Sequence, residues 1–81
     1  MAVYIIEHGT DNNRWLSKIE HRHAGDWREQ INSYRPQVEE AVVFEKRAAA
    51  VEFAKKWRAR VWRVKDGRPD KMIWPEEMPS R

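Results

Sequence analysis

His21 and His23 stand two residues apart. On a strand that spacing projects both imidazoles from one face, where they could hold Zn²⁺ or another divalent ion. His8, Glu7 or Asp26 could complete such a site. A two-histidine strand pair is a weak signal, because spacing alone identifies no third ligand and a strand end is open to water. The expectation is no resident metal and no cofactor. Other chemistry is poorly supplied. Ser17, Ser33 and Ser80 lie in no Gly-x-Ser-x-Gly setting, and three glycines make no phosphate loop. Glu39-Glu40 and Glu76-Glu77 are adjacent in sequence, so on a strand or helix their carboxylates point apart. The absence of cysteine excludes disulfides, thiolate zinc sites and thiol catalysis. No enzymatic activity is expected; a metal-dependent enzyme is the reading that a filled histidine site would revive.

The stronger feature is a basic segment with interleaved indoles. Residues 55–71 carry a net charge of +6, against −2 for residues 1–54 and −1 for residues 72–81. Screening confines charge effects to about 10 Å, so this local field matters more for partners than the net +3. Cations neutralise phosphates and indole faces stack bases. The candidate binding residues are Lys55, Lys56, Arg58, Arg60, Trp62, Arg63, Lys65, Arg68 and Trp74. Plainer roles compete. Trp57 falls on an apolar helix stripe and reads as core, and cations collect at helix C-termini for dipole reasons alone. Trp62 and Val61 point to opposite faces of a strand, so one of them leaves the core. Five tryptophans in 81 residues are hard to bury together in so small a domain. Trp74, with Met72 and Met78 in a proline-flanked tail, is the set expected to be exposed, or to cover an open sheet edge.

The elements that must position these groups can be read coarsely. Residues 3–6 are β-branched and aromatic, predicting a first strand over about 2–8. The run Gly9-Thr10-Asp11-Asn12-Asn13 predicts a reversal. Residues 14–23 alternate, with Trp15, Ser17, Ile19, His21 and His23 on one face and the mostly charged set containing Leu16 turned to water. Asp26 and Glu29 match a capping box, and Trp27, Ile31 and Tyr34 fall at i, i+4 and i+7, predicting a short helix over 27–34 that ends at Pro36. Residues 41–44 read as a strand, followed by a helix over 46–58 with Ala49, Ala50, Phe53, Ala54 and Trp57 on its stripe. One helix from Pro36 to residue 58 is the rival reading, long beside a mean of about 11–12 residues. Residues 59–65 alternate as another strand, and Asp66-Gly67 is a turn signal. Met72-Ile73-Trp74 reads as a returning edge strand or as an arm on the surface.

The expected architecture is α+β. A small antiparallel sheet of three to four strands carries the 46–58 helix on one face, with the short 27–34 helix beside it. Residues 1–81 form a single domain, with 66–81 a proline-containing C-terminal arm. The longest apolar runs, residues 3–6 and 41–44, are far short of the ~20 residues that span a bilayer. No signal peptide is visible. A small cysteine-free domain fits a reducing cytoplasm.

The run Phe44, Ala50-x-x-Phe53-Ala54-x-x-Trp57, Val61-x-x-Val64, following the opening Val-Tyr-Ile-Ile-Glu strand, resembles small α/β proteins of bacteriophages and mobile elements, anti-CRISPR proteins among them. The resemblance is architectural and covers about half the chain. It implies a non-enzymatic protein that inhibits or adapts a host nucleoprotein machine by occupying a surface, in the host cytoplasm. It carries no site residue over. Inhibitors that mimic nucleic acid are acidic, whereas this chain is basic, so an acidic protein surface or a nucleoprotein is the better matched partner. The alternative is direct nucleic-acid binding through residues 55–71. A homodimer through a sheet edge is compatible with either.

Overall fold

The computed structural model describes residues 2–75. Five strands form one antiparallel sheet: β1 (Val3–Glu7), β2 (Trp15–Ala24), β3 (Trp27–Arg35), β4 (Arg60–Lys65) and β5 (Arg68–Trp74). Their order is β3-β2-β1-β4-β5. One helix, α1 (Arg47–Trp57), packs against β1 and β4, and a 3-10 turn covers Val38–Glu40. The α+β class holds, with five strands where three to four were expected.

β1 lies at the centre because it is apolar on both faces, with Ile5 and Ile6 both buried. Its register against β4 sets Ile6 opposite Val61 and Ile5 opposite Trp62. Ile6 and Val61 join Leu16, Ala50, Ala54 and Ala59 in the core under α1. The two fully buried helix residues are alanines, and small side chains let the helix axis approach the sheet. Phe53 keeps its expected place, between Phe44 and Trp57 at centroid distances of 5.9 and 6.2 Å, whereas Ala49, expected on the stripe, is exposed and Val51 packs on the core instead. Ile5, Glu7 and Trp15 are buried outside that core, and alternation along β1 puts Ile5 and Glu7 on the sheet's other face.

α1 ends at Arg58, which takes a left-handed conformation at φ 56° while the Ala59 N–H donates to the Ala54 carbonyl at 2.9 Å. A non-glycine residue there costs about 1 kcal/mol. The reversal after β1 packs tightly on this cap. A Cβ built on Gly9 would meet the Arg58 carbonyl oxygen at 2.0 Å.

The expected helix over 27–34 is instead β3. Gly25 at φ 62° followed by Asp26 makes a two-residue turn of the II′ kind, joining Ala24 to Trp27. The ladder then runs from Ala24↔Trp27 to Trp15↔Arg35. Long-range pairing overrides the helical spacing of Trp27, Ile31 and Tyr34, a weak local preference in a short segment. The predicted facing of β2 is also corrected. An irregularity between Leu16 and Lys18 gives Ser17 no partner of its own, so Leu16 is fully buried and Ile19 packs on the same core.

β2 pairs with β1 only through Glu7↔Trp15. Beyond that pair, Tyr4 exchanges both backbone bonds with Phe44 at 2.8 Å, and the Val42 N–H reaches the Leu16 carbonyl at 2.8 Å. Residues 41–44 are thus a single bridge, not a strand, and the one-helix reading of 36–58 fails. The Asp66-Gly67 turn has φ of 53° and 75°, a type I′ pattern, and returns the chain into edge strand β5. The last residues of the expected arm, 76–81 with Met78, lie outside the described residues.

Candidate functional site

The basic segment does not form one stripe. Alternation along β4 turns Arg60 and Trp62 to the face opposite α1, beneath which Glu7 lies 3% exposed. The Glu7 carboxylate accepts the Trp62 indole N–H at 2.8 Å and the Asn13 backbone N–H at 2.7 Å. Arg60 Nε lies 3.5 Å from the same carboxylate, and its guanidinium donates to the His8 carbonyl at 3.2 and 2.8 Å. Trp62 also meets Trp15 edge-on, with centroids 6.2 Å apart. These two candidates are therefore fastenings between β1, the 8–14 reversal and β4. Arg63 donates to Asp70 at 2.6 Å across the β4–β5 hairpin. That bond, with the surrounding positive charge, holds the Asp70 carboxyl below its usual range. Lys65 and Arg68 flank the turn at the far end of the hairpin, and Arg68 borders an open cleft with Pro36, Val38 and Pro69.

The remaining candidates converge at the C-terminal end of α1. Lys55 Nζ sits 5.2 Å from the Trp74 ring centroid, and Lys56 Nζ sits 5.5 Å from that of Trp57. A cleft of about 410 Å³ lies on one side, bordered by Gly9, Lys55, Arg58, Arg60, Trp74 and Pro75. On the other side His21, His23, Arg28, Glu29, Gln30, Lys56 and Trp57 border a second cleft of about 400 Å³. Among the described residues Lys55, Lys56 and Arg58 form no ion pair with a carboxylate. Trp57, read from sequence as core, is half-buried and faces this cleft.

His21 and His23 do share a face, opposite Gln30 and Arg28. The cleft they border holds two cations, Arg28 and Lys56, against one carboxylate, Glu29. Among the described residues no three His, Cys, Asp or Glu side chains gather to hold a metal. His8 is committed elsewhere. Its Nδ1 accepts the N–H groups of Thr10 and Asp11 at 3.2 and 3.1 Å, and its ring meets Tyr34 edge-on at 4.9 Å.

Sequence reasoning missed the β2–β3 ribbon. Residues 21–29 are all exposed, and Trp27, beside the Gly25-Asp26 turn, is 54% exposed. The signal was present as Gly-Asp between two runs of alternating residues, a two-residue hairpin pattern. No helix among the described residues is long and apolar enough to cross a membrane. No protein-family model, curated protein or solved structure matches this chain.

Proposed function

We propose that this chain is a small non-enzymatic binding module of the inhibitor or adaptor kind, anti-CRISPR-like, acting by occupying a protein surface of a host nucleoprotein complex. The observation that carries the reading is the ribbon ending on Trp27. An indole 54% exposed at the tip of a two-residue hairpin has little reason to be there for folding. Tryptophan is among the commonest binding hot spots, and a hairpin presents it on a stiff, paired backbone that loses little entropy on docking. Arg22, exposed two residues from Trp27's partner Ala24 and so on the same face, can meet an acidic rim. The test compares wild type with Trp27→Ala for capture of protein from a bacterial lysate treated with nuclease. The reading requires captured species that survive nuclease and are lost with the indole.

A second reading rests on a different observation. Among the described residues Lys55, Lys56 and Arg58 form no ion pair with a carboxylate, and they stand beside two indoles, an arrangement suited to a nucleic-acid backbone with bases against Trp57 and Trp74. Binding to a single-stranded oligonucleotide would then weaken with salt along a log–log slope of about −0.7 per phosphate neutralised. The protein reading requires a shallower slope.

A further inference from the structure

The two edges of the sheet differ in kind. β5 is defended: Pro69 removes a backbone donor, two register shifts against β4 distort its line, and Arg68, Asp70 and Lys71 crowd it with charge. β3 is less defended: the one register shift in its ladder is a bulge on β2, between Leu16 and Lys18, and its charges, Arg28, Glu29 and Arg35, stand near its ends. Its nine residues hold no proline, each of them has its own partner on β2, and residues 30–34 are uncharged. Among the described residues it is the last strand of the sheet on that side. A long, regular edge of this kind is a template for another strand.

The turn fixes which backbone groups face outward. In a two-residue hairpin the pair flanking the loop exchanges both hydrogen bonds. Trp27, Glu29, Ile31 and Ser33 therefore turn their amides towards β2, and Arg28, Gln30, Asn32 and Tyr34 turn theirs outward. We infer that the β3 edge pairs antiparallel with β3 of a second copy of this chain, about a two-fold axis at Asn32. That register sets Asn32 against Asn32, Gln30 against Tyr34 and Glu29 against Arg35, so outward groups meet outward groups through about six backbone bonds. It is also the register that places the strand's one carboxylate opposite a cation, twice by symmetry. Arg35 is available for this, since its present contact with Glu40 is an exposed one at 3.8 Å. Charge complementarity with itself is what favours a second copy over an unrelated strand. The pairing leaves the two Trp27 tips pointing apart, about 33 Å from one another at roughly 3.3 Å per residue, so each remains free to bind.

Sedimentation velocity over a concentration series tests this on the full chain. Wild type should reach a dimer, and amide exchange at Gln30, Asn32 and Tyr34 should slow as the dimer fills. Asn32→Pro removes an outward N–H and the bond that Asn32 Oδ1 accepts from Gln30 Nε2 at 3.0 Å, but no bond of the ladder with β2, and should be a folded monomer. Glu29→Arg sets like charges opposite one another twice and should weaken the dimer about tenfold, and adding Arg35→Glu should restore it. The charge pair decides the matter if the proline variant fails to fold. A wild type that stays monomeric at the highest attainable concentration overturns the inference. So does a dimer indifferent to Glu29→Arg, since its interface would lie elsewhere.

Discussion

Trp62 donates its indole N–H to the buried carboxylate of Glu7 at 2.8 Å. The two residues lie on adjacent strands 55 positions apart in sequence, and with Asn13 and Arg60 they close the reversal between β1 and β2 onto β4. A carboxylate this deep is tolerated because its donors replace the water it loses. Glu7→Gln keeps the shape but removes the charge and turns an amide NH₂ towards one of those donors. It should cost about 1.5–3 kcal/mol. A thermal melt should fall by about 10 °C or more in a domain of this size. An unchanged melt would mean that the cluster contributes nothing to the fold.

Gly9 and Gly25 separate two reasons for glycine. At Gly25 φ is 62° but nothing lies within 4 Å of a built Cβ, so Gly25→Ala should cost about 1 kcal/mol from backbone strain alone. At Gly9 the same methyl would collide with the carbonyl of the helix cap, and Gly9→Ala should cost about 3 kcal/mol or more. Denaturant unfolding of both variants checks the ranking. Equal losses would show that the reversal does not press on Arg58.

Asp70 gives the pH dependence a sign. Its folded-state carboxyl is held low, first by the hydrogen bond from Arg63. The stabilisation this pairing provides is present above the ordinary carboxylate range and is lost as pH falls through the lowered value. In a carboxyl titration followed by NMR, Asp70 should lose its charge at lower pH than an unpaired aspartate, and Arg63→Ala should move it back up. Because the pair is exposed, added salt should shrink the difference. A titration unmoved by Arg63→Ala would deny the contact.

Much of the sheet was legible because its signals are local. The β-branched run of β1, the turn cluster at 9–13, the apolar stripe of α1 and the Asp66-Gly67 reversal are each carried by a few adjacent residues. β3 was not legible, because Trp27, Ile31 and Tyr34 carry a helical spacing that only the distant ladder with β2 overrules. The site was read in part. Charge counting found Lys55, Lys56 and Arg58, which do cluster, but alternation along β4 could not say which face holds Glu7. It sets Val61 and Trp62 on opposite faces without saying which of them leaves the core. The pairing of Lys55 with Trp74 depends on β5 returning beside α1, a tertiary fact with no local signal.

The ribbon reading stands or falls on Trp27. Wild-type and Trp27→Ala protein, each immobilised, should be compared for capture from one bacterial lysate with and without nuclease treatment, after confirming that their stabilities agree within about 0.5 kcal/mol. Truncating a hot-spot indole costs about 2 kcal/mol or more, a drop in affinity of roughly thirtyfold. Nuclease-resistant protein partners should be found on the wild type and be absent from the variant. Identical capture by both, or capture that nuclease abolishes, would contradict it.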